Sequence, residues 1–337
     1  MKKIATLIGG AAAVATLAMG AHAQTLDQVK ARGALNCGVS TGLPGFSSTD
    51  AAGNWQGLDV DTCRAVAAAV LGDANDVNFV PLTAVERFTA LQSGEIDMLS
   101  RNTTWTLTRD ASLGLNFAGV NYYDGQAFLV STDLGVTSAL ELDGAAVCIQ
   151  SGTTTELNLA DYFRFNNMSF EPVLYDTSEQ TVSGFEAGRC DVLTSDSSQL
   201  AALRIQLSNP DGAVVLPQTI SKEPLGPVVR QGDDQWFNIV KWAHIATLNA
   251  EEFGLTQSNV DSMLGTDNPN IARFLDSAEL GGFLGLGSDW AYQIVKQVGN
   301  YGEMFDRNVG AGSPLGLPRG VNALWTQGGL QYGPPIR

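Results

Sequence analysis

The chain states one structural phrase twice, and that repetition limits the folds open to it. In the first half, residues 33–40 (GALNCGVS) read as a strand and a helix starts near Asp59 or Asp61. Residues 77–80 form a second strand, residues 84–92 a helix stopped by Gly94, and residues 96–99 a third strand. Leu58, Val60, Cys63, Val66, Ala67, Val70 and Leu71 fall mostly three or four apart, as a helix with one face on a sheet requires, while Val85, Phe88 and Leu91 recur every third residue. The second half repeats this with strands at 145–149, 171–175 and 190–193, helices at 154–165 and 181–187, and Gly188 as the stop. The echo is closest between Gly94-Glu-Ile-Asp97 and Gly188-Arg-Cys-Asp191. Alternation of this kind belongs to open parallel sheets, so two similar α/β units are expected.

Ligands bind such sheets beyond the carboxyl ends of the strands. Three polar loops lie there: SRNTTWTLTRD (100–110), QSGTTTE (150–156) and TSDSS (194–198). If the two units face each other, all three converge on one cleft.

The amino terminus carries Lys2 and Lys3, an apolar run over residues 4–19, and Ala21-His22-Ala23. That order predicts a cleaved export signal with the mature chain starting near Gln24. A membrane anchor is the alternative, but the run falls short of the roughly 20 residues a span needs. No cysteine stands at the junction to carry a lipid. Loss of Lys2 and Lys3 takes the net charge from −16 to −18, a surface that repels nucleic acid and anionic lipid. Four cysteines in an exported chain argue for disulfides. Pairing within each half, Cys37 with Cys63 and Cys148 with Cys190, joins a predicted strand to the next helix or strand of its own unit, each bond contributing about 2–4 kcal/mol. Four reduced core thiols are the alternative. Metal binding is disfavoured, with no CxxC and one histidine, His244, in the mature chain, and no cofactor is expected.

Within the loops, Arg109 follows Asn102, Thr103, Thr104, Thr106 and Thr108. A guanidinium presents two parallel donors that match a carboxylate, although Arg109 could equally neutralise Asp110 at the surface. Gly152-Thr153-Thr154 precedes a helix whose first N–H groups suit an anion, a role compatible with an ordinary N-cap partnered by Glu156. Asp196 follows a strand and could accept from an ammonium group, but capping the helix that begins SSQLAALR is the simpler role. Phe46 and Trp105 could give the cleft apolar surface, although aromatics more often simply belong to the core. No nucleophile elbow, P-loop, HExxH or dinucleotide fingerprint occurs. From about Ala243 the chain is expected to turn into short helices and loops that pack on a lobe or bridge the two, and Trp325 and Leu330 in its Gly/Pro-rich end point to a docked rather than a disordered terminus.

With these residues in view, GLDVDTCRAVAAAV, ERFTALQSGEIDMLSRNTTWTLTRD, GTTTELNLADYFR and SKEPLGPVVRQGDDQW make the chain resemble the polar amino-acid solute-binding proteins of ABC transporters, in particular their general L-amino-acid-binding branch. The resemblance implies a type II-like periplasmic binding fold: two α/β lobes joined by two crossing segments and closing on the ligand as a hinged trap. The first lobe would comprise roughly residues 24–128 and 225–337, the second residues 129–224. By resemblance, Arg109 would clamp the α-carboxylate with Thr104, Thr153 and Thr154, Asp196 would take the α-ammonium, Asn102 would add polar contacts and Phe46 would line the wall. Leu43 stands where many relatives carry an aromatic, and Arg101 where they carry a small or hydroxylic residue, which points towards acidic or amide side chains. The expected partners are free L-amino acids and the permease subunits of an importer in the inner membrane, with the protein a monomer. A cyclohexadienyl-type dehydratase and a ligand-presenting sensor subunit are the competing expectations on this scaffold.

Overall fold

A computed structural model describes residues 24–337; the expected export signal lies outside the described residues. The first unit runs α1 (Thr25–Arg32), β1 (Leu35–Ser40), α2 (Leu58–Leu71), β2 (Val77–Leu82), α3 (Arg87–Ser93), β3 (Met98–Leu99) and β4 (Leu115–Phe117). The chain crosses over through β5 (Tyr122–Asp124). The second unit follows as β6 (Gln126–Ser131), β7 (Ala145–Gln150), α4 (Thr154–Phe165), β8 (Phe170–Tyr175), α5 (Ser178–Glu186), β9 (Val192–Asp196), α6 (Ser197–Arg204) and β10 (Ala213–Val215). The return passes through β11 (Glu223–Leu225) to β12 (Val228–Arg230) and α7 (Asp234–Glu252).

Two five-stranded sheets result, ordered β2-β1-β3-β12-β4 and β8-β7-β9-β6-β10. In each, three parallel strands are extended on one side by a strand antiparallel to them, β12 in the first and β6 in the second. β12 follows the second unit in sequence yet lies in the first sheet. β6 pairs along its whole length within the second sheet.

The repeated Gly-x-x-Asp has a structural cause. Gly94 and Gly188 adopt φ of 82° and 66°, the left-handed conformation that ends a helix without a Cβ clash. The chain then turns so that Asp97 meets Asn36 at the start of β1, with Asp97 N–H donating to Asn36 O (2.9 Å) and Asn36 N–H to Asp97 Oδ2 (2.8 Å). Asp191 makes the same two-point contact with Ala146 on β7, at 2.8 and 2.9 Å. Each aspartate sets the register of a third strand against the central one. Both disulfides join the expected cysteines, Cys37 on β1 with Cys63 on α2 and Cys148 on β7 with Cys190 just before β9.

Helix α7 runs on to Glu252, past the point near Ala243 where irregular structure was expected. Every residue from Ala243 to Ala250 is buried, His244, Thr247 and Asn249 included, so the helix is enclosed on all sides there and no one-sided apolar period marks it in the sequence. Four short helices follow: α8 (Pro269–Leu275), α9 (Ala278–Leu284), α10 (Trp290–Gln297) and α11 (Tyr301–Asn308). They pack on the first lobe; Arg307 donates to buried Asp61 at 2.9 and 2.6 Å. The end of the chain is docked, as expected, and the Trp325 indole donates to Glu252 on α7. Trp325 and Leu330 are each about half exposed, whereas Asn322 accepts from Tyr123 N–H (2.7 Å), donates to Tyr123 O (3.0 Å), and Gln331 donates to Val120 O (3.1 Å).

The crossing strands β5 and β11 pair antiparallel, Asp124 opposite Glu223 and Tyr122 opposite Leu225. Beside them Gly226 donates to Thr103 O (3.0 Å), and a Cβ on Gly226 would lie 1.9 Å from Gly119 O. Backbone cannot yield there as a side chain would. Gly226→Ala is therefore expected to destabilise the protein by about 2 kcal/mol or more, read as a lowered midpoint of urea or thermal unfolding; an unchanged midpoint would show that the two segments do not pack this closely.

Candidate functional site

The three loops picked out from sequence do meet. The first two leave the carboxyl ends of β3 and β7 and touch across the gap between the lobes; residues 194–198 are no loop but the end of β9 and the start of α6, and they are reached through Gln199 on α6. Thr104 Oγ1 lies 3.2 Å from Thr154 Oγ1, Asn102 Nδ2 donates to Gln199 Oε1 (3.0 Å), and Arg87 Nη2 to Gly152 O (3.4 Å).

The loop after β3 is shaped by a buried acid. Asp59, in the first turn of α2 and 2% exposed, accepts from Asn102 N–H (2.7 Å), Ser100 Oγ (3.0 Å) and Asn121 Nδ2 (3.3 Å). Burial raises its carboxyl above the ordinary value and these donors oppose the rise. Asn102 takes φ of 32°, a conformation that asparagine tolerates better than most residues. Its Oδ1 is buried without a partner, as are Thr41 Oγ1 after β1, Arg87 Nε and Asp196 Oδ1.

Arg109 sits on the π-helical turn Thr108–Ser112 with 8% exposure. Its Nη1 donates to Thr104 O (2.9 Å) and its guanidinium lies over the Phe88 ring, 5.2 Å from the centroid. The surface pairing with Asp110 does not form; Asp110 accepts from the indole of Trp105 instead (3.0 Å). Burial lowers Arg109 to about 10, with Glu223 and Asp196 opposing, so it stays charged at neutral pH.

At the start of α4 the two threonines divide the work. Thr153 is the cap, accepting from Glu156 N–H (3.4 Å) and donating to Gln150 O (2.7 Å). Thr154 faces the other lobe and donates to Glu223 Oε2 (2.8 Å).

Asp196 ends β9 at the cap position of α6 but makes no side-chain capping bond. The simpler role expected of it falls to Asp124 on the crossing strand, which accepts from the Ser198 N–H (3.2 Å) and hydroxyl. Asp196 is thereby left 5% exposed with a carboxylate oxygen unengaged. Burial, then the charges of Asp124 and Glu223, raise its carboxyl well above the ordinary range, while Arg109 and Arg87 pull it back.

Phe46 is buried in the first lobe's core, edge-on to Tyr122 with centroids 5.4 Å apart, and Leu43 is buried there too. Trp105 does not join the cleft. It stacks on Phe117 at 5.5 Å, 40% exposed, over an outer groove shared with His244 and Tyr332. Sequence reasoning missed Arg87, Asp59, Asp124 and Glu223. Arg87 looked like one polar position on a short amphipathic helix, and Glu223 lay in a segment too short to announce a crossing strand.

Residues 35–253 match the profile of the bacterial extracellular solute-binding proteins, family 3. The chain is 60% identical over 331 residues to a general L-amino acid-binding periplasmic protein of Rhizobium johnstonii, covering 97% of each. It is 53% identical over 339 residues, all of both chains, to a glutamate/glutamine/aspartate/asparagine-binding protein of Rhodobacter capsulatus. Among solved structures, an ABC transporter periplasmic binding protein from Brucella ovis with glutathione bound superposes with a TM-score of 0.91 at 56% identity, over 94% of this chain and 100% of that one.

The raised carboxyls of Asp196 and Asp124 set a pH dependence. A cation brought against Asp196 favours its ionised form, so below the raised range binding must expel a proton, and affinity falls as pH falls. Calorimetry with a ligand bearing an ammonium group should show weaker binding at pH 5.5 than at pH 8, with proton release at the lower pH. Equal affinity at both would remove Asp196 as the cation's partner.

Proposed function

Because the chain belongs to family 3 of the bacterial extracellular solute-binding proteins, we propose that it captures free L-amino acids of several kinds in the periplasm and delivers them to an ABC importer by closing its two lobes. One observation carries this reading: a buried guanidinium without an ion pair among the described residues, Arg109, and a buried carboxylate with an unengaged oxygen, Asp196, belong to opposite lobes. They match the two charged ends of an amino-acid zwitterion.

In this scheme Arg109 clamps the α-carboxylate, with the hydroxyls of Thr104 and Thr154 beside it and Thr153 holding the helix start. Asp196 takes the α-ammonium, Asn102 Oδ1 accepts a further donor, and Phe46 backs the apolar wall. Each charge-assisted hydrogen bond contributes about 1.5–3 kcal/mol. Since the anchors lie on different lobes, only the closed form makes all of them, so the ligand shifts the population towards closure. The closed protein is what the permease subunits meet at the inner membrane. The lobes divide at the crossing strands, with residues 24 to about 125 and the chain after β11 forming the first.

One observation favours a second reading, a dehydratase acting on a carboxylated ring. A buried acid such as Asp196 holds its proton more readily than an ordinary carboxyl, as a proton donor must. The binding role is preferred because the Rhizobium johnstonii and Rhodobacter capsulatus relatives, matched over nearly their full length, are named as binding proteins.

Calorimetric titration of the mature, ligand-stripped protein should reveal several L-amino acids as ligands, each losing affinity when the α-ammonium or α-carboxylate is removed. Glutathione belongs in the panel because the Brucella ovis relative holds it. Arg109→Ala should weaken binding about 100-fold or more while leaving thermal unfolding near that of the wild type. Silence across the panel, with turnover of prephenate or arogenate, would replace the binding role by the dehydratase.

A further inference from the structure

Three arginines converge on the site where a zwitterion needs one. Arg87, Arg101 and Arg109 are 2%, 2% and 8% exposed, and none of them forms an ion pair among the described residues. Each feels the others: Arg109 and Arg101 both disfavour the charged form of Arg87, and Arg109 disfavours that of Arg101. Arg87 and Arg109 share the Phe88 ring, at 4.8 and 5.2 Å.

Three of the neighbouring acids are held by neutral donors, while Glu179 and Asp196 act on Arg101 through space without an ion pair. Asp59 accepts from Asn102, Ser100 and Asn121; Glu223 from Thr154, Asn158 and Ser221; Asp124 from Ser198 and Gly125. An amino-acid head brings a carboxylate for Arg109 and an ammonium for Asp196, and so adds no net charge. Arg101 and Arg87 are left over. Arg101 donates from Nε to Leu82 O (2.9 Å), at the carboxyl end of β2. Arg87 has two long hydrogen bonds, both 3.4 Å, to Thr103 Oγ1 and Gly152 O, and a buried Nε without a partner. Buried charge of one sign is costly unless a counter-charge meets it. Asp59, Glu179 and Asp196 favour the charged form of Arg101 from beyond ion-pair distance, which leaves direct pairing to a ligand carboxylate.

We propose that Arg101, backed by Arg87, forms a second anion subsite that selects amino acids with a side-chain carboxylate over their neutral isosteres. The proposal rests on the amino-acid reading of the site and sharpens the expectation of acidic or amide side chains into a preference for the charged member of each pair.

L-Glutamate and L-glutamine, and L-aspartate and L-asparagine, differ little but in charge, so the ratio of their affinities is the readout. Calorimetry on the ligand-stripped wild type should give a ratio of at least about tenfold in favour of the acid at pH 8, where a single charge-assisted bond suffices to produce it. Arg101→Gln should bring the ratio towards one, and Arg101→Lys, which keeps a charge without the planar fork, should retain more of it. A wild-type ratio of one or less overturns the proposal whether or not the variants fold. So does an Arg101→Gln protein with the wild-type ratio, or equal ratios in the glutamine and lysine variants. Failure of the underlying reading is separately visible: L-alanine and the amides would then go unbound along with the acids.

Discussion

Asp59 is the residue on which the site's geometry depends. One buried carboxylate in the first turn of α2 gathers the Asn102 N–H, the Ser100 hydroxyl and the Asn121 amide, and so fixes the bend by which the chain leaves β3. That bend carries Asn102 into a left-handed conformation and delivers Thr104 and Arg109 to the cleft. The helix N-terminus contributes, since the dipole of α2 favours a negative charge there. Asn121 belongs to the segment leading into the first crossing strand, so the same carboxylate ties the binding loop to the hinge.

The crossing strands do more than connect. Asp124 on β5 relieves Asp196 of capping α6, and Glu223 on β11 holds Thr154 and Asn158 of α4. Both helices that face the ligand from the second lobe are therefore anchored to the hinge by side chains. The carboxy-terminal extension grips that hinge from the other side, with Asn322 bonded to both backbone groups of Tyr123 and Tyr301 donating to Asn121 O (2.9 Å). The extension thus braces the first crossing strand.

Much of this was legible in the sequence because it follows from periodicity and from residues that break it. Gly94 and Gly188 marked the helix ends, the repeated Asp marked the third strands, and the cysteines paired as their positions within each unit suggested. The loops around Arg109, Thr154 and Asp196 were found because polar runs follow strands at predictable places. What stayed hidden depends on contacts distant in sequence. Asp124 and Asp196 are 72 positions apart, as their numbers show, and nothing local says which of them caps α6. Trp105 was misjudged for a related reason: its indole neighbours Arg109 in sequence, but turns outwards to stack on Phe117. The return of the chain to the first sheet came only from resemblance, since β12 is three residues long and has no periodicity to read.

The charges buried at the cleft explain why such a site needs both lobes. A guanidinium or carboxylate taken out of water loses several kcal/mol of solvation unless hydrogen bonds or an opposite charge replace it. Within the first lobe Arg109 has Thr104 O and the face of Phe88, and within the second Asp196 has no capping bond to satisfy it. Opening the lobes returns both groups to water and relieves that cost, whereas closing them without a ligand isolates two charges that do not touch. On the proposed reading, a zwitterion reverses the balance because it supplies an opposite charge to each at the moment water leaves. The same groups that make empty closure unfavourable therefore make ligand-bound closure favourable, and the discrimination between open and closed forms arises from the incomplete pairing of the site's own charges.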